Sequence, residues 1–165
     1  MPLSVQNTCS ISVGRLLEVR VLAGYRTSLE VDQLFQAIRA EYSKLKDEQR
    51  VVAVTDCRLC PPLSDEVSNY LLETLAPTNP RIQASAFIAS RDSPPAVLHF
   101  LKLVRGIRHP GRKLFFEVPE MLSWLHPFLT GSEFRRLRTF VDDAPAESVT
   151  LAINVKPGGR AQRKG

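Results

Sequence analysis

The sequence predicts an α/β fold in which helices pack on a mainly parallel sheet of four or five strands. Three observations point there. Residues 50–56 hold the almost unbroken β-branched run Val51, Val52, Ala53, Val54, Thr55, the mark of a strand covered on both faces. Strand-like runs then alternate with helical stripes along the chain, an order that calls for right-handed crossovers between parallel strands. Finally, 165 residues with 44% hydrophobic and 24% charged side chains suffice for one core without disulfide support.

The elements follow in order. Ile11, Val13, Leu16, Leu17, Val19, Val21 and Ala23 alternate across a break at Gly14 and Arg15, which reads as two short strands joined by a tight turn. Thr27 stands three residues before Glu30, the spacing at which each side chain can satisfy the other's free backbone N–H at a helix start. Val31, Leu34, Phe35, Ile38, Tyr42 and Leu45 then form one apolar stripe on a helix running to about Lys46. After the central strand, Ser64 with Asp65 and Glu66 opens a second helix through Val67, Tyr70, Leu71 and Leu75, and Pro77 stops it.

Residues 82–89 form the next strand. Ser93 caps and Pro94 starts a third helix whose stripe is Val97, Leu98, Leu101, Val104 and Ile107, with Gly106 near its end. Residues 113–118 have strand character, and Pro119 begins a short helix with Met121, Leu122, Trp124 and Leu125 that Pro127 ends. Thr130 and Glu133 repeat the capping spacing before a last helix, in which Phe134, Leu137 and Val141 face inward and Arg135, Arg136 and Arg138 outward. Residues 149–155 look like an isolated strand, able to join a sheet edge or a second copy in a homodimer. The expected organisation is one domain over residues 1–143 and an extension over 144–165 with a basic, mobile tail. No internal repeat at a solenoid period interrupts this reading.

Charge and composition exclude several classes. Of the 22 basic residues, Lys156, Arg160, Arg163 and Lys164 fall in the last ten positions, leaving 18 against 17 acidic ones in the body. A body so close to neutral lacks the footprint of a duplex DNA binder, and nucleic acid is not an expected partner. With 8 Gly and 12 Pro the chain is neither collagen-like nor disordered, and no apolar run approaches the ~20 residues of a membrane span. The first residues lack the basic start and apolar centre of a secretory signal, so the expected compartment is the cytoplasm. Cys9, Cys57 and Cys60 are odd in number and irregular in spacing, which suits a reducing compartment and requires no bridge.

Four groups of residues carry candidate chemistry. Cys57-Arg58-Leu59-Cys60 lies between the central strand and a helix, where a helix N-terminus can lower a thiol pKa, but Asp56 opposes a thiolate and Pro61-Pro62 hold the helix away. Ordinary partly buried thiols are the plainer reading. A zinc site would need two more ligands, and His99, His109 and His126 are scattered, so no metal is expected. Ser64 is placed either to accept a phosphate at a helix N-terminus or simply to cap it. Between Ser93 and Phe116 there is no acid, while Lys102, Arg105, Arg108, His109, Arg112 and Lys113 gather around Pro110-Gly111. That imbalance could receive an anion or an acidic partner, or be a solvated loop. No Gly-rich phosphate loop, Gly-x-Ser-x-Gly elbow or paired His and nucleophile occurs, so neither a catalytic residue nor a cofactor is expected.

The strand-turn-strand start, the turn Gly24-Tyr25-Arg26-Thr27 before the first helix, the strand from Val51 to Asp56 and the run Leu114-Phe115-Phe116-Glu117-Val118-Pro119-Glu120-Met121-Leu122-Ser123-Trp124-Leu125 together resemble the SpoIIAA-like, or STAS, fold family. The resemblance spans residues 11–125. That family includes bacterial anti-sigma factor antagonists and cytoplasmic domains of sulphate transporters. It implies a bacterial regulatory or scaffold module without catalysis that docks a protein partner, here over Asp56, Arg58, Ser64, Asp65 and Glu66. In the antagonists a phosphoacceptor hydroxyl directly follows an Asp at the start of the helix after the central strand. Here Cys57 follows Asp56, and the nearest hydroxyl, Ser64, precedes Asp65. Two alternatives stand beside this one: a carrier for an apolar or lipid-like ligand in a cavity lined by Phe115, Phe116, Trp124 and Phe128, and a dithiol oxidoreductase using Cys57 and Cys60.

Overall fold

The computed structural model describes residues 7–153, and side chains over residues 7–143. Among the described residues, five strands form one sheet: β1 (Thr8–Ile11), β2 (Leu16–Arg20), β3 (Val51–Asp56), β4 (Ile82–Ile88) and β5 (Arg112–Phe115). Their spatial order is their chain order, with β1 antiparallel to β2 and every later pair parallel. Right-handed crossovers that always step to the next strand in one direction must all pass over the same face. Accordingly α1 (Ser28–Tyr42), α2 (Asp65–Leu75) and α3 (Pro94–Ile107) share one face, while α4 (Val118–Leu125) and α5 (Gly131–Ile153), which follow the last strand, fold back over the other.

β3 shows why the β-branched run reads as a central strand. Val51 and Ala53 pack toward α1–α3, Val52 and Val54 toward α4 and α5, and all four are buried. The same alternation sets Leu17 and Val19 of β2 against Leu16 and Glu18. A register shift beside Val51 lets Ile82 join the α1–α3 core although Ala84, Ala86 and Ile88 face the opposite side.

Several boundaries differ from the sequence reading. α1 ends at Tyr42 rather than near Lys46, because the Ser43 hydroxyl donates to the Ala40 carbonyl at 2.6 Å and the chain turns. On α3 the buried stripe is Ala96, Phe100, Leu103 and Ile107, with Leu98 59% exposed. The expected stripe took Val97, Leu101 and Val104, each one residue along from buried Ala96, Phe100 and Leu103, and a one-residue offset rotates a helical face by about 100°. Ser93 makes no side-chain cap, and the helix ends on left-handed Arg108. Gly106 instead faces Leu72 on α2, where a Cβ would lie 2.7 Å from Cδ2.

β5 begins at Arg112 and stops before residue 116, since Pro119 initiates α4. The capping box before α5 is complete: Thr130 N–H donates to Glu133 Oε2 at 2.8 Å, and Glu133 N–H to Thr130 Oγ1 at 3.3 Å. Residues 149–153 continue α5 rather than forming a strand, satisfying within the helix a backbone that has no strand beside it. The rest of that run, 154–155, and the basic tail lie outside the described residues. No helix among the described residues is long and apolar enough to cross a membrane.

Candidate functional site

The loop between β3 and α2 divides the expected docking residues in two. Asp56 ends β3 on the α4–α5 side and is 5% exposed. Arg58 grips it with two bonds, Nε to Oδ1 at 3.0 Å and Nη2 to Oδ2 at 2.9 Å. Arg58 Nη2 also donates to the Val141 carbonyl of α5 at 2.9 Å. That carbonyl would normally accept from the residue four positions on, which is Pro145 and has no N–H, so the guanidinium supplies the donor that the helix lacks. Arg20 acts beside it, donating to the Phe140 carbonyl at 2.7 Å and lying over the Phe140 ring. Asp56 and Arg58 thus fasten α5 to the sheet, a correction to their expected place on the docking surface.

Cys57 and Cys60 point the other way, into the α1–α3 core, and both are buried. Burial first, then Cys60 and Asp56, pushes the Cys57 thiol well up, and burial pushes Cys60 up to about 12. Dithiol exchange needs an accessible thiolate, and these positions suppress it. The helix N-terminus does not rescue the pair because Pro61, Pro62 and Leu63 intervene before Ser64.

Ser64, Asp65 and Glu66 form the part that meets solvent. The Ser64 hydroxyl accepts from Val67 N–H at 3.2 Å, a true N-cap, while the carboxylates occupy the first turn of α2. His99 joins this turn to α3. Its Nδ1 accepts from Leu63 N–H at 3.3 Å, which leaves its other nitrogen to carry hydrogen toward Asp65 Oδ1 at 3.6 Å. Two leucines of these elements are exposed, Leu59 in the loop before α2 and Leu98 next to His99 in α3. Sequence reasoning missed Leu98, having placed it in the core.

The expected anion site also separates. Arg105 and Arg108 are exposed and His109 is half-buried, its Nδ1 accepting from Gly111 N–H at 3.0 Å. Burial and the neighbouring Arg112 and Arg50 charges hold the His109 pKa down. Arg112 and Lys113 are successive strand residues and so face opposite sides. Lys113 reaches toward Trp124 of α4, whereas Arg112 enters the α1–α3 layer and is 5% exposed. Arg112 therefore cannot meet a partner at the surface. Similarly Arg136, read as outward-facing, forms an ion pair at 2.8 Å with buried Glu18 of β2.

The aromatic cavity is corrected as well. Phe115, Trp124 and Phe128 pack on one another on the α4–α5 side, with centroids 5.4 and 5.5 Å apart, while Phe116 packs on the opposite side. An apolar cavity of about 50 Å³ does exist between the sheet and α1–α3, with Tyr42, Thr78, Ser85 and Arg112 among its walls. No group of three or more potential metal-ligating side chains occurs among the described residues.

The fold is SpoIIAA-like. The chain matches the crystal structure of an uncharacterized protein from the DUF3478 family with a SpoIIAA-like fold, from Shewanella loihica PV-4, with a TM-score of 0.52 and 17% identity over 76% of this chain and 98% of that one. No family model and no curated protein matches the sequence.

Proposed function

We propose that the chain is a non-catalytic bacterial regulatory module that docks a protein partner over the first turn of α2 and the neighbouring start of α3. One observation carries this reading. Ser64, Asp65 and Glu66 are exposed at the start of α2, Leu59 is exposed in the loop before it and Leu98 on α3, and His99, next to Leu98, ties α3 to this turn by accepting from Leu63 N–H at 3.3 Å. Apolar contacts beside a small acidic group suit a partner surface with an apolar centre and a basic rim. The SpoIIAA-like fold supports a docking role, and the burial of Cys57 and Cys60 disfavours the dithiol reading. A phosphate on Ser64 would add charge beside Asp65 and Glu66, strengthening attraction to a basic rim and making the same turn a switch.

The test is cross-linking in the native cell with wild type, Asp65→Lys/Glu66→Lys and Leu98→Asp. The reading expects a partner that wild type retains and both variants lose by about tenfold, with the fold retained by circular dichroism and Tm lowered by a few degrees in the charge-reversed chain, whose first turn of α2 loses its carboxylates. Equal retention by all three chains, or nothing above a mock bait, would overturn it.

A further inference from the structure

Arg112 is a buried cation without a counterion in the described structure. It begins β5 and points between the sheet and α1–α3. Its Nε donates to Asn79 Oδ1 at 3.1 Å, Nη2 to Thr78 Oγ1 at 2.7 Å and Nη1 to Ser85 Oγ at 3.5 Å. All three acceptors are neutral, and no carboxylate among the described residues pairs with it. A guanidinium has five N–H donors, so one N–H on each terminal nitrogen is still free. Either can meet a carboxylate oxygen with a charge-assisted bond.

A second cation, outside the cavity wall, acts on the same Tyr42 as Arg112. Arg81 Cζ lies 5.4 Å from the centroid of the Tyr42 ring, and its buried Nε and Nη2 have no hydrogen-bond partner among the described residues. Burial pushes the Tyr42 phenol up while Arg112 and then Arg81 pull it down, so both guanidiniums act on one ring. Keeping two such cations near a core without an acid is costly, unless an anion completes the arrangement.

The cavity limits what that anion can be. Arg112, Tyr42, Thr78 and Ser85 supply its polar walls, while Leu71, Phe87 and Leu103 are among its apolar ones. At about 50 Å³ it has room for a few heavy atoms and not for a long acyl chain. A phosphate group would set more oxygens against apolar walls than the free donors can satisfy.

We propose that this cavity binds a small monocarboxylate of the size of acetate, its charged group held by Arg112 and its methyl group set among Leu71, Phe87 and Leu103. The site is separate from the docking turn, so either reading can fail without the other.

Calorimetry and thermal shift on the full chain would test it with acetate, butyrate, decanoate, butyramide and inorganic phosphate. Acetate is expected to raise Tm by roughly 3 to 5 °C at ten times its Kd. Butyrate, too long for the space, should bind more weakly, and decanoate, butyramide and phosphate should give no shift. Arg112→Gln should abolish the response. Because that change touches the interior, the cavity-filling Leu71→Phe should remove acetate binding with the fold retained, while Arg81→Gln, outside the cavity wall, should weaken it only a few-fold. No response to acetate, an unchanged response in Leu71→Phe, or equal responses to phosphate, butyramide or decanoate would overturn the proposal.

Discussion

The two faces of the sheet handle buried charge in opposite ways. Toward α4 and α5, Glu18 meets Arg136, Asp56 meets Arg58, and Arg20 and Arg58 also reach carbonyls of α5. Toward α1–α3, Arg112 has only neutral acceptors, and a cavity lies against it. Paired charges fix a geometry, because removing one partner strands the other in a poorly solvated site. An unopposed guanidinium fixes less and keeps donors available. The first face is therefore built to hold α5, whereas the second retains binding capacity.

Breaking a pair on the first face should produce the largest effect. Arg58→Ala leaves Asp56 buried without its cation and the Val141 carbonyl without a donor. The expected loss is about 3 kcal/mol, or roughly 6 to 12 °C in Tm, measurable by denaturant and thermal melts. Hydrogen exchange should show α5 opening first. A loss equal to that of an ordinary exposed Arg→Ala change would remove the contrast between the faces.

The buried thiols on the second face give the next effect through pH. The Cys60 pKa rises from 9.0 to about 12 on folding, so its contribution is fully present below pH 9 and is lost as pH climbs from 9 toward 12, where only the unfolded chain releases the proton. At pH 11 the loss attributable to this group is on the order of 2 to 3 kcal/mol. Urea titrations of wild type and Cys60→Ala should therefore converge as pH rises from 8 to 11. A constant separation between them would place Cys60 in a wetter setting than its burial implies.

Ser64 offers a smaller test, at a rim where the second face meets solvent. Ser64→Ala removes the acceptor for Val67 N–H and should lower stability by about 1 kcal/mol, while Ser64→Asp keeps an acceptor and should restore most of it. Chemical denaturation resolves a difference of this size. If both substitutions are silent, the cap contributes nothing and Ser64 is free for modification alone.

What was legible in the sequence divides along the same physical line. Local signals survived: the β-branched run at Val51, the caps at Thr27, Ser64 and Thr130, and the prolines that start α3 and α4 all sit where nearest-neighbour chemistry places them. Which face a residue takes was harder, because it depends on partners distant in sequence. Leu98 reads as core until Phe100 and Ala96 are seen against the sheet. Arg112 and Lys113 read as one patch until β5 starts at Arg112 and alternation parts them. Nothing in the sequence pointed Arg112 inward, since arginine is rarely buried, and only Thr78, Asn79 and Ser85, each about 30 residues away, make that direction favourable.

The finest test of the comparison replaces the unopposed cation itself. Arg112→Met keeps a flexible chain of similar reach and removes the desolvated charge, which burial already drives down to a pKa of about 10. Three neutral acceptors lose a donor; Thr78 still donates to the Leu75 carbonyl and Asn79 Nδ2 to the Ile107 carbonyl, but Asn79 Oδ1 is left without its partner, a cost of about 1 kcal/mol set against the charge removed. These opposing terms should nearly cancel, leaving stability within about 1 kcal/mol of wild type, against the larger loss from Arg58→Ala. Urea denaturation of the two variants side by side measures the difference directly. A loss for Arg112→Met as large as that for Arg58→Ala would mean that the neutral cage is as structural as the ion pairs, and that the two faces do not divide holding from binding.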